Sequence, residues 1–185
     1  MTQKPEAIAQ QIETRGGAKS KPPLDKWHPE LSGDIDIVVN RKGEWLYEGK
    51  PIPRESIVRL FSTILRREED GHYYLVTPVE KWRIQVEDTP LLAHSLETEG
   101  EGKQRTLSVT TNVGEVIQID DAHPLEVGAY PESQEPRPII RLPHGLEARL
   151  VTSAYYDLAE LIAAEDPDTD APMGIWSHGN FYQIA

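Results

Sequence analysis

GKPIPRESIVRLFSTILRREEDGHYYLVTPVEKW, from Gly49 to Trp82, joins a helix, a strand and a polar corner in one block. Pro53 sits where a first helical turn tolerates proline, and Ile57, Val58, Leu60, Phe61, Ile64 and Leu65 follow at helical spacing. The pattern predicts one amphipathic helix, with Arg66 and Arg67 at its negative C-terminal end. Asp70-Gly71 then turns the chain into a strand over His72 to Val76. A fainter echo runs from Leu146 to Ile184. Aligning Gly71 with Gly179 sets Tyr73 opposite Phe181 and Tyr74 opposite Tyr182, and Leu60 and Ile64 find counterparts in Leu158 and Ile162. The echo predicts an α+β protein of two related small domains that arose by internal duplication.

Upstream of the block, Ile35, Ile37 and Val39 alternate with Asp34, Asp36 and Val38, Asn40 to Gly43 supplies a turn, and Trp45 and Tyr47 alternate again, which describes a hairpin. Residues 1–23 carry Gly16, Gly17, Pro22 and Pro23 among polar residues and read as a flexible N-terminal tail, with room for a short helix at Pro5 to Glu13. The first domain covers 24–89, Arg83 to Asp88 being its last strand, and Pro90 marks the boundary to a second, strand-rich domain over 90–185. There Leu91 to Glu97, Thr106 to Thr111 and Glu115 to Ile119 read as strands, Pro131 to Pro138 as an exposed loop, and Ile139 to Leu142 and Leu146 to Val151 as extended chain. Ser153 is placed to cap a last helix whose Tyr156, Leu158, Ala159, Leu161 and Ile162 face the core, before a closing hairpin around His178-Gly179-Asn180.

The chain has 185 residues, 38% hydrophobic and 27% charged, enough to bury a core in each half. A net charge of -12 argues against binding duplex nucleic acid, which depends on Lys and Arg neutralising phosphates, while leaving room for a single small nucleotide. Cysteine is absent, which removes disulfides and thiolate chemistry. With no apolar leader and no run as long as a membrane span, a soluble cytoplasmic protein is expected.

The imitations of known chemistry fail on spacing. DPDTD at Asp166 to Asp170 opens like a calcium loop, but Ala171 replaces the turn glycine and Ser177 the bidentate glutamate. Asp120, Asp121 and His123 lack the spacing of a metal set, Gly100 to Lys103 lacks the spacer of a phosphate loop, and Ile175 stands where the nucleophile elbow of Ser177-Gly179 needs glycine. No cofactor or metal is expected.

Thr77-Pro78-Val79-Glu80 is sharper. Threonine at a cap, proline next and glutamate three residues on make a capping box, predicting one helical turn whose free N–H groups point outward to hold an anion, helped by Lys81 and Arg83. The plain alternative is a corner that redirects the chain. Arg54 gains nothing from the positive end of its helix, so either an anionic partner or a salt bridge to Glu80 or Asp88 accounts for it. Arg149 reads as structural, and Trp27, Trp45, Trp82 and Trp176 as core or interface residues.

Trp27-His28-Pro29, Gly49 through Arg54, Tyr74 through Lys81, Val86-Glu87-Asp88, Thr111-Asn112, Leu146 to Arg149 and Trp176-Ser177-His178-Gly179 together resemble the bacterial family known as domain of unknown function 1285. The resemblance implies two related α+β domains, the second superficially similar to a pleckstrin-homology fold, a pocket at the domain interface suited to a nucleotide-like ligand, and a part in signal transduction. Arg54, Thr77, Pro78, Glu80, Lys81, Asp88, Thr111 and Asn112 are the ligand-contact candidates, chosen for their nearness to the corner and the interface. The leading expectation is a binding protein for a small anionic ligand at that interface. The rival is a protein–protein interaction module with an apolar patch around the second-half sheet. A hydrolase using Glu80 and Asp88 as a carboxylate pair lacks a nucleophile or metal set.

Overall fold

The structure, a computed structural model, describes residues 3–13, 21–165 and 172–185. Tertiary contacts divide the chain into two units, one made of residues 1–90 with 144–146, the other of 91–143 with 147–185.

In the first unit, β1 (Gly33–Val39), β2 (Trp45–Tyr47) and β3 (Lys50–Pro51) form a meander, α2 (Glu55–Thr63) follows, and β4 (Leu65–Arg67), β5 (Tyr73–Val76) and β6 (Lys81–Val86) form a second meander. The two join through a parallel β1–β6 pair, giving the order β3-β2-β1-β6-β5-β4. Strand alternation works as the sequence requires, since Ile35, Ile37 and Val39 are buried on one face of β1. Asn40 holds the β1–β2 turn by accepting from the N–H groups of Lys42 and Glu44 at 3.0 and 2.9 Å. Above this sheet Phe61 is fully buried with its ring 6.3 Å from Trp45, a site where truncation to alanine costs about 3–5 kcal/mol.

The helix is shorter than its apolar spacing predicts. Ile64 leaves helical geometry at φ -112°, ψ 10°, and its carbonyl accepts from Val76 N at 2.9 Å. Leu65, Arg66 and Arg67 therefore belong to β4, paired with Leu75, Tyr74 and Tyr73. Leu65 is buried either way, which is why periodicity could not separate the end of a helix from the start of a strand. Arg66 consequently caps no helix and donates instead to the Leu24 and Trp27 carbonyls at 3.0 and 2.9 Å. The short helix allowed at the N-terminus is formed as α1 (Pro5–Glu13), with Ile8 and Ala9 buried against α2.

In the second unit, β7 (Leu91–Glu99), β8 (Thr106–Thr111) and β9 (Val116–Ile119) make one meander and β10 (Leu125–Ala129), β11 (Pro136–Arg141) and β12 (Glu147–Leu150) another. The sheet runs β10-β11-β12-β7-β8-β9, with β12 and β7 parallel. In both units the first strand of one meander pairs in parallel with the last strand of the next, so the strand order repeats. The helix does not repeat its place: α2 links the two meanders of the first unit, whereas α3 (Thr152–Ala164) follows β12 and leads to a separate hairpin, β13 (Gly174–Ser177) and β14 (Asn180–Gln183). Leu158 and Ile162 of α3 and Ile175 and Tyr182 of the hairpin close the core over Leu107, Val109, Ile117, Ile119, Ile140 and Leu150.

Three local expectations are corrected here. Pro136 and Pro138, assigned to an exposed loop, lie in β11; Arg141 N faces Pro124 O at 3.0 Å, so the alternate proline nitrogens face the other side, where β12 pairing begins only at Ile139. Val151, not Ser153, occupies the N-cap of α3, and no side chain caps it. Tyr156 is exposed, the buried face being Ala154, Leu158 and Ile162. Among the described residues, no helix is long and apolar enough to cross a membrane.

Candidate functional site

The Thr77–Lys81 corner is the tight connection between β5 and β6, whose last pair is Val76 opposite Lys81. Fully buried Thr77 organises it: its Oγ1 accepts from Glu80 N at 2.9 Å and Val79 N at 3.3 Å, and its own N–H donates to Glu80 O at 2.9 Å. The threonine therefore caps as its position predicts, yet no helical turn forms. The N–H groups expected to point outward are consumed by the cap, because the chain must re-enter the ladder at Lys81.

The charged members are committed as well. Glu80 Oε2 accepts from Gln11 Nε2 at 2.7 Å, Trp82 Nε1 at 3.0 Å and Gln3 Nε2 at 3.2 Å. Lys81 Nζ lies 2.8 Å from Glu68 Oε1 and 4.7 Å from the Tyr74 ring centroid, while Glu68 Oε2 accepts from Arg66 at 2.8 Å. Burial raises the Glu68 carboxyl, and the hydrogen bonds and charges of Lys81 and Arg66 outweigh it, so it titrates below its usual range. Tyr74 donates to Asp70, and that bond, with burial, pushes its phenol up to about 12.

Arg54 is the exposed residue before α2, with extended φ -92°, ψ 108° and no ion pair among the described residues, to Glu80 and Asp88 included. Asp88 is half-buried and partnered. Thr77, Pro78, Glu80 and Lys81 are thus brought together in one turn of the first unit. Thr111 and Asn112 are brought together in the β8–β9 turn of the second. Thr111, buried, exchanges bonds with Glu115 at 2.8 and 3.2 Å, and Asn112 clamps the turn to β7 by exchanging N–H and carbonyl bonds with Leu92 at 3.0 and 3.1 Å.

The weaker imitations resolve into structural roles. Asp120 Oδ1 accepts from Ala122 N and His123 N at 3.0 and 2.8 Å and faces His123 Nδ1 at 2.9 Å, a turn cap; no metal-binding cluster exists among the described residues. Ser177 is buried, accepting from Leu107 N at 2.9 Å and donating to Ile119 O at 2.6 Å. Asp166 to Asp170 lies outside the described residues. Trp45 and Trp82 are buried, and Trp27 and Trp176 half-buried.

The sequence did not reveal a groove of about 380 Å³ on the outer face of β7, β8 and β9. Register builds it: Glu97 stands opposite Ser108, which stands opposite Gln118, so a carboxylate, a hydroxyl and an amide form one row across three strands, and Glu99 faces Thr106 in the next. His178 closes one end from the β13–β14 turn, where His178 at φ 48° and Gly179 at φ 79° make a type I′ connection. Among the described residues, the side chains of Glu97, Glu99, Ser108, Gln118 and His178 have no hydrogen bond or ion pair. Among the described residues, no Lys or Arg lines the groove. The alternation of polar residues in TLSVT at 106–110 was the available signal, but such alternation also marks any solvated strand face. On the same hairpin, Trp176 and Phe181 lie directly opposite, ring centroids 5.5 Å apart at 60°, with Lys103 Nζ 5.3 Å from the Trp176 centroid.

These features define an α+β protein of two sheet-rich units. Residues 22–89 match the model of the N-terminal domain, and residues 90–184 that of the C-terminal domain, of the domain of unknown function DUF1285, and the chain belongs to this family. Among solved structures, a DUF1285 family protein from Silicibacter pomeroyi DSS-3 is 36% identical with a TM-score of 0.87, covering 100% of this chain and 96% of that one. A second, from Shewanella baltica OS155, is 30% identical with a TM-score of 0.53 over 68% of this chain and 91% of that one. No curated protein matches by sequence.

Proposed function

We propose that the protein is a binding module whose second unit takes a cationic segment of a partner protein in the β7–β8–β9 groove. The observation that carries this is the concavity itself: Glu97 and Glu99 line it together, neither side chain has a hydrogen bond or ion pair among the described residues, and no Lys or Arg among the described residues lines it. Two carboxylates on one strand face raise the local negative potential, which draws a cationic segment and can accept charge-assisted hydrogen bonds from it. The direct test is binding of a labelled alternating Arg-Ser octapeptide to wild type and to Glu97→Gln/Glu99→Gln. A loss of about tenfold or more supports the groove, and unchanged affinity removes it.

A second reading, a small anionic and nucleotide-like ligand, is favoured by Arg54, an exposed cation at a helix N-terminus with no ion pair among the described residues. Calorimetry with a nucleotide panel, repeated on Arg54→Ala, tests it; absence of heat at millimolar ligand sinks it. The common strand order of the two sheets supports descent from one duplicated unit, and a helix following the second sheet is what supports the pleckstrin-homology likeness. The lack of cysteine supports a cytoplasmic setting.

A further inference from the structure

We infer that the Trp176–Phe181 pair is a second contact point for the same partner, an aromatic platform for an arginine, and that Lys103 occupies it in the free protein. The inference rests on the groove proposed above and adds where the segment goes on leaving it, and what it must displace.

The platform is built by register. Ile175 and Tyr182, opposite one another in the hairpin, are buried at 0% and 8% exposure, so the next pair, Trp176 and Phe181, faces outward. Phe181 is 40% exposed beside the half-buried Trp176, so the two tilted rings present an apolar surface. A ring face is negative and attracts a cation. The one seated there is Lys103, which has no ion pair among the described residues although acidic side chains abound.

The loop that carries Lys103 is held in place. Gly100 at φ 75° leaves no room for a side chain, since a Cβ there would lie 2.7 Å from Gln104 O, and the turn Gly102–Gln104 is closed by Arg105 N on Gly102 O at 3.2 Å. Arg105 then ties loop, hairpin and groove together: its carbonyl accepts from His178 N at 3.1 Å, and its guanidinium holds Glu165 and, at 2.9 Å, Thr98 Oγ1. Thr98 and His178 both line the groove, so platform and groove are parts of one supported surface.

Charge and spacing choose the occupant. Glu97 and Glu99 are alternate residues on one strand face, roughly 7 Å apart, the repeat of an extended peptide with basic residues at alternate positions. Arginine suits both contacts, since its planar guanidinium pairs with carboxylates and stacks on indole. An exposed lysine over a ring is held weakly, so exchange for a partner's arginine is open to a segment already anchored in the groove.

The experiment is a double-mutant cycle read by fluorescence anisotropy of the alternating Arg-Ser octapeptide, on wild type, Trp176→Ala, Lys103→Ala and the double variant. Trp176→Ala should weaken binding about fivefold, and Lys103→Ala should tighten it about threefold, only while Trp176 is present. If Lys103→Ala tightens binding equally without the indole, the gain is long-range electrostatics and the stand-in role is overturned. Should Trp176→Ala disturb folding, Trp176→Phe and Phe181→Ala take its place, and unchanged affinity in both also overturns the platform. Loss of binding in Glu97→Gln/Glu99→Gln with no effect at Trp176 removes the platform but keeps the groove. No binding to wild type at about 1 mM peptide removes both.

Discussion

Lys81 reaches across the β4–β5 hairpin to Glu68, with Nζ and Oε1 2.8 Å apart, and this pair decides what the Thr77–Lys81 corner can do. A phosphate arriving at Lys81 would meet a carboxylate already in place and would have to break a half-buried ion pair that also holds Arg66. Replacing Glu68 by Ala should cost about 1 kcal/mol at pH 7, since it removes the carboxylate that two half-buried cations share, leaving Arg66 its carbonyl acceptors and Lys81 the Tyr74 ring. Because the Glu68 pKa is lowered on folding from its usual 4.5, its contribution is present above that value and is lost as pH falls through the folded pKa. Urea unfolding of both proteins should therefore differ at pH 7 and converge as pH falls below 4.5 and through the lowered folded pKa. A difference that persists in acid would assign the effect to packing.

Thr77 contributes through one oxygen. Thr77→Val keeps the shape but removes the acceptor for Val79 N and Glu80 N inside a fully buried position, which should cost about 1–3 kcal/mol, while Thr77→Ser should retain most of the stability. Thermal unfolding of the pair separates hydrogen bonding from methyl packing. Equal melting temperatures for Thr77→Val and wild type would mean that the cap is dispensable.

The corner also marks how far the sequence could be read. The Thr77 cap, the alternation in β1, β8 and β9 and the closing hairpin were legible because each depends on residues close in the chain. The start of β4 was not, since only pairing with β5 distinguishes Leu65 as strand from Leu65 as helix. The echo between halves paired α2 with α3 and β5 with β14, elements that hold different places in their units, whereas the common strand order sets β4-β5-β6 beside β10-β11-β12. Buried aromatic and aliphatic residues recur on any helix and strand, so their spacing carries little information about ancestry. The groove was illegible because its row of Glu97, Ser108 and Gln118 exists only once the β7 bulge between His94 and Glu97, with Ser95 at φ 53°, sets the register against β8.

Ser177 carries a serine's reactivity nowhere near solvent. Its hydroxyl joins Leu107 N to Ile119 O, so Ser177→Ala should leave a buried donor and acceptor unpaired, cost about 1–3 kcal/mol, and speed hydrogen exchange at the Leu107 amide more than elsewhere in β8. Ligand binding in the groove should survive, since Ser177 does not line it. Uniformly faster exchange across the second unit would instead show that the hairpin unfolds with the sheet.

Gln118→Lys separates groove chemistry from fold stability. Gln118 is exposed on β9, with no side-chain bond among the described residues, and lines the groove in the same row as Glu97. A lysine there brings a tethered ammonium towards an uncommitted carboxylate, an internal substitute for the proposed partner's cation. The exposed site makes the change nearly neutral for folding, within about 0.5 kcal/mol, and a pair with Glu97 adds little. Affinity for the Arg-Ser octapeptide should nevertheless fall about tenfold or more, because the incoming cation now meets a filled and less negative groove. Raising salt should narrow the gap, as screening weakens both attraction in the wild type and repulsion in the variant. If the variant binds as tightly as wild type at low salt, cations do not enter through this row, and Glu97 and Glu99 are only a solvated strand face.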